Sequence, residues 1–120
     1  MGKTTVRKAG VFLLLAAMAF VFAVFAGSAE AGTITIFNYS GYDIHELYIS
    51  SSDTDDWGQD LMGQYYLANG DETDIDIPDY DQFDIMVGDK NRKRTDWYDL
   101  PGNVVRFFVD PNKQGRWEWD

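Results

Sequence analysis

Asp53-Thr54-Asp55-Asp56-Trp57-Gly58-Gln59-Asp60 is the segment whose residue types and spacing come nearest to a cation-binding loop. Hard cations such as calcium take several oxygen ligands at about 2.3–2.6 Å, which alternating Asp residues around a Gly bend can supply. Set against an EF-hand loop, Asp53, Asp55 and Gly58 fall on the first, third and sixth positions. Trp57 and Gln64 stand at the fifth and twelfth, where oxygen donors are needed. Asp53, Asp55, Asp56 and Asp60 are therefore candidate calcium ligands of a loop outside the EF-hand class. Their plainer role is as solvated turn formers.

A second acidic group crowds residues 71–84: Asp71, Glu72, Asp74, Asp76, Asp79, Asp81 and Asp84. It offers a dock for a cationic partner, such as a secreted protein that this chain inhibits. Like charges along a strand also guard its edge against pairing with another chain. Lys90, Arg92, Lys93 and Arg94 make one basic loop on an acidic body, suited to anionic glycans or headgroups or to the molecule's own acidic faces. Trp117 and Trp119, two residues apart, share a face if the segment is extended, and two indoles in a row can stack sugar rings. Core packing is the competing use of the same rings.

Catalytic arrangements are thin. Ser40, Asp43 and His45 can be written as a triad, but no oxyanion element accompanies them. One His and no Cys cannot assemble a zinc site. Carboxylate pairs are too numerous to single out glycoside hydrolysis. The expectation is a non-enzymatic binding or interaction module with no obligate cofactor.

The elements that position these residues begin after an export signal. Lys3, Arg7 and Lys8 precede an apolar run from Ala9 to Ala26, and Ala29-Glu30-Ala31 fits the small-x-small rule of signal peptidase. This reading makes residues 1–31 a signal-peptide helix and 32–120 the working domain, periplasmic or secreted. The alternative is an uncleaved anchor, the one membrane association expected, although the run at about 1.5 Å per residue falls short of a ~30 Å hydrocarbon core. No Cys follows the run to carry a lipid. Removal of 1–31 takes Glu30 and three cations, leaving 19 acidic against 7 basic residues. Such a surface repels nucleic acid, so the expected partner is a protein or glycan of the envelope or medium.

Residues 32–120 read as short strands between turn signals. Thr33–Tyr39 alternates with Ile34 and Ile36 on one face, and Thr73–Ile77 does so with Ile75 and Ile77. Phe83, Ile85 and Val87 make the cleanest inward face. Ile44–Ser50, Gln64–Leu67, Thr95–Leu100, Val104–Val109 and Arg116–Trp119 complete the set, with Val104–Val109 apolar enough to be central. Trp57, Leu61 and Met62 are expected to tuck under the sheet as one helical turn. Seven or eight strands with no disulfide predict a single small antiparallel β-sandwich closed by its many aromatics.

Leu47-Tyr48-Ile49-Ser50, followed by Trp57-Gly58-Gln59-Asp60-Leu61-Met62-Gly63, resembles the signature of a widespread family of small exported bacterial β-domains of unassigned function. Asn38-Tyr39-Ser40-Gly41, Phe83-Asp84-Ile85, Val87 with Asp89, and Trp97 extend the likeness. The resemblance implies an exported all-β domain and no particular reaction. The basic loop departs from the acidic, Gly-containing loop of that pattern.

Overall fold

The computed structural model describes residues 32–119, and the expected signal-peptide helix lies outside them. Seven strands follow in order: β1 (Gly32–Asn38), β2 (Glu46–Ser51), β3 (Glu72–Ile77), β4 (Gln82–Gly88), β5 (Arg94–Pro101), β6 (Val104–Asp110) and β7 (Gln114–Trp119). They form two sheets, β3-β1-β6-β7 and β2-β4-β5. The fold is all-β, as the alternation required.

One departure concerns strand direction. Most ladders are antiparallel, but β1 and β6 pair in parallel, Ile36 beside Phe107 and Asn38 beside Val109. A parallel neighbour needs a crossover. The chain supplies it by leaving for the second sheet at β2 and again at β4 and β5 before it returns at β6.

Period-two alternation builds one core between the sheets. Ile34, Ile36, Ile77, Phe107 and Val109 come from the four-stranded sheet, and Leu47, Ile49, Phe83, Ile85, Val87 and Leu100 from the three-stranded one. A buried Asn38 ties down one end. Its Nδ2 donates to the carbonyls of Tyr42 (2.8 Å) and Leu67 (2.9 Å), while its Oδ1 accepts from the Ser40 hydroxyl at 2.6 Å.

The β2–β3 connection differs from the expected helical turn. Trp57 is buried on the outer face of the three-stranded sheet, its ring 6.4 Å from Tyr48 and 6.1 Å from Tyr98, with buried Met86 on the same face. Asp60 and Leu61 then run beside β2, and Met62 enters the core. Gln64–Leu67 is not a strand. The Tyr65 N–H is spent on a turn to the Met62 carbonyl (2.9 Å), which leaves only the bridge between Ile44 and Leu67.

Asp60 holds this connection by accepting from the Leu47 N–H (3.0 Å) and the Met62 N–H (2.9 Å) through one oxygen, Oδ1. Burial pushes its carboxyl above the usual value, despite these backbone donors. Its ionised form is thus disfavoured by folding, and that penalty sets in as pH rises from the unfolded through the folded pKa. Asp60→Asn keeps an acceptor and loses the charge. Its melting temperature should exceed wild type at pH 7 and converge with it below pH ~4, the unfolded Asp value. Asp60→Ala strands two donors and should lose about 1–3 kcal/mol in a urea titration.

Candidate binding site

The aromatic edge of the four-stranded sheet starts from a buried ring. Phe107 on β6 is closed over by Trp97 of β5, edge-on at 5.0 Å, and Trp117 of β7 lies nearly parallel to it at 6.3 Å and 12°. Gly115 makes this approach feasible: a Cβ there would sit 2.8 Å from both Trp97 Nε1 and Phe107 Cζ. Trp117 and Trp119 then project from the same face of β7, 38% and 52% exposed. Core packing therefore fixes the base of the platform while its upper surface stays open. Sequence reading found the two tryptophans but missed their footing. The glycine inside a strand was the available signal, since it marks close approach.

The acidic group splits. Glu72, Asp74 and Asp76 share the exposed outward face of β3, with Asp71 next to them and Asp79 and Asp81 in the following exposed loop. Asp76 and Asp74 accept from the hydroxyls of Thr33 (2.9 Å) and Thr35 (2.7 Å) on β1. Asp84 leaves the group altogether. It is buried on β4, where Oδ1 accepts from the Ser52 hydroxyl (2.6 Å) and the Asp99 N–H (2.8 Å). It thereby holds the irregular β4–β5 pairing, at which Asp99 adopts a left-handed φ of 59°.

The basic loop also divides. Arg94 Nε donates to Glu46 Oε1 at 2.8 Å, and Arg92 pairs with Oε2 at 3.5 Å. Glu46 and Arg94 sit on strands separated by β4, at Gly88, where a Cβ would lie 2.4 Å from the Glu46 carboxylate. Glu46 holds the Arg94 charge in place and raises its pKa. Lys90 and Lys93 remain exposed at the hairpin tip. The backbone N–H groups of Lys93 and Asn91 bond Asp89, drawing its carboxyl below the usual value.

The remaining candidates are placed apart. Asp53 and Asp55 are exposed, Asp56 accepts from the Gly58 N–H at 3.1 Å, and Asp60 faces β2. Among the described residues no group of three or more His, Cys, Asp or Glu converges as a metal site. Ser40 donates to Asn38, Asp43 accepts from the Asn69 N–H (3.1 Å), and His45 stacks on Tyr66 at 5.2 Å. No helix among the described residues is long and apolar enough to cross a membrane.

This arrangement defines a two-sheet, seven-strand all-β domain with an aromatic edge. The chain matches no family model and no curated protein. It is similar in fold to the NMR structure of a protein from Eubacterium rectale, with a TM-score of 0.51 over 78% of this chain and 92% of that one, at 15% identity.

Proposed function

We propose that residues 32–120 are an exported, non-enzymatic β-sandwich binding module whose ligand is a neutral polysaccharide stacked on Trp117 and Trp119. The observation that carries this reading is the pair of half-exposed indoles on one face of β7, one of them backed by the buried Phe107 ring. Neighbouring same-face positions on a strand lie about 6.6–6.8 Å apart, so one extended ligand can cover both rings. The excess of 19 acidic over 7 basic residues in 32–120 disfavours anionic chains and favours uncharged ones.

The test is co-sedimentation with insoluble neutral polysaccharides such as chitin and cellulose, alongside peptidoglycan as an anionic comparator. The protein should pellet with a neutral polymer and shift its indole emission. Replacing both Trp117 and Trp119 by Ala should weaken binding at least about tenfold, a 1.4 kcal/mol effect. Absence of pelleting, or pelleting unchanged by the double substitution, overturns the reading.

A cationic protein partner is the second reading, favoured by Glu72, Asp74 and Asp76 on one exposed edge. High salt should release such a partner, whereas stacking on indoles should survive it.

A further inference from the structure

A sheet edge presents unpaired backbone groups to any strand that arrives, and three of the four edges here are protected. β2 is covered: the Leu61 N–H donates to the Leu47 carbonyl at 2.7 Å, and Asp60 takes the Leu47 N–H. β3 carries Glu72, Asp74 and Asp76 on its outward face. β5 is interrupted by left-handed Asp99 and ends at Pro101, which has no N–H. Charge, bulge, proline and a covering segment are the usual guards of an edge.

Among the described residues, β7 has no covering strand and no left-handed residue, and the irregularity in its ladder lies on the β6 side, between Val104 and Arg106. β7 contains no proline, and its outward charges, Arg116 and Glu118, are opposite in sign. We infer that β7 is a homodimer edge, pairing antiparallel with β7 of a second copy about a two-fold axis at Trp117.

The register follows from self-complementarity, as any isologous interface requires. With Trp117 opposite its own counterpart, Arg116 faces Glu118 of the second copy and the reverse. Glu118 already accepts from Arg106 Nε at 2.6 Å and Arg116 already pairs with Asp110 of its own copy, so the outer face gains an alternating row of Arg106, Glu118, the second copy's Arg116 and that copy's Asp110. Trp119 falls opposite the second copy's Gly115, beside the Trp97 and Phe107 rings that already cover that glycine. Shifting the register by one residue sends Trp117 and Trp119 to opposite faces of the joined sheet from their counterparts.

Strand addition leaves the sheet faces open, because side chains stand perpendicular to the ladder. The two copies would form a continuous eight-stranded sheet, with Trp117 and Trp119 of each making a four-indole floor. The edge argument stands without the polysaccharide reading. The role of the floor as a longer sugar platform rests on it.

Sedimentation velocity tests the pairing on purified wild type over about 1–100 µM. The buffer holds 0.15 M salt, where the Debye length is ~8 Å and net repulsion is screened. A concentration-dependent doubling of mass is expected. Glu118→Arg and Arg116→Glu should each weaken self-association at least about tenfold, and mixing the two should restore a dimer of one chain of each kind. Both side chains are about half exposed, and far-UV circular dichroism verifies that each variant is folded. A wild type that stays monomeric throughout overturns the inference, as does a dimer indifferent to both substitutions. A monomer that pellets with polysaccharide removes the dimer and keeps the binding reading. A charge-swappable dimer that pellets with nothing does the reverse.

Discussion

Phe107→Ala should lose about 3–5 kcal/mol of stability in a urea titration, the range for emptying a fully buried phenylalanine site. The ring is inaccessible to solvent and carries three loads: it fills the core between the sheets, supports Trp97 at 5.0 Å, and backs Trp117 at 6.3 Å. Its neighbour provides the control. Phe108 points to the outer face, stacked on Phe37 at 4.5 Å and capped by the Arg116 guanidinium at 4.3 Å. Phe108→Ala should cost closer to 1 kcal/mol, about the scale of one aromatic pair with partial burial. A domain of this size holds only about 5–15 kcal/mol in total, so the first substitution takes a large share and the second does not. Equal losses would mean that the alternation of β6 is misassigned.

Gly102→Ala is the second large expected effect, and its cause is backbone rather than core. A Cβ at Gly102 would sit 1.9 Å from the Tyr80 carbonyl oxygen and 2.8 Å from that of Asp81. The Gly102 N–H also donates to the Asp81 carbonyl at 2.9 Å, so the two segments are already fastened together. No rotamer can relieve a collision with main chain, and residues 78–81 must retreat. Tyr80, which packs against the core and whose phenol burial pushes its pKa up, would be drawn out with them. A loss of about 3 kcal/mol or more is expected, at the upper end for overpacking, or roughly 12–24 °C in melting temperature. Asn103→Ala, next in the same turn and exposed, should stay within about 0.5 kcal/mol.

These two positions show what the sequence made legible. Inward faces were readable wherever one side of a strand was apolar, as at Ile34/Ile36 and Phe83/Ile85/Val87, because period two needs no knowledge of neighbours. Which strands lie side by side depends on distant partners, and nothing within Thr33–Asn38 announces a parallel neighbour at Arg106–Val109. The outer-face cluster was partly signalled. Met86 breaks the alternation of β4, and a strand apolar on both faces implies a cover on both. That cover is Trp57.

Of the candidate surfaces, the pairing of Trp117 with Trp119 was visible in their spacing alone. The division of the basic loop was not, since Glu46 and Arg94 meet only because Gly88 lies between their strands. Asp84 read as one more surface acid, for its burial is set by a β-bulge that has no local sequence mark.

The parallel pairing of β1 with β6 also governs when the domain can fold. β1 is the first described strand, yet one of its two ladders joins Thr35 to Arg106, near the other end of the described chain. Contacts of such long sequence separation must meet the entropy of closing a large loop before they return any stabilisation, which slows collapse. A chain emerging N-terminus first can therefore assemble the β2-β4-β5 sheet early, but it cannot join β1 and β3 to the rest of the four-stranded sheet until β6 has appeared. Until then one edge of β1 lacks its neighbour, and the core between the two sheets stays open on the side that Phe107 and Val109 will fill.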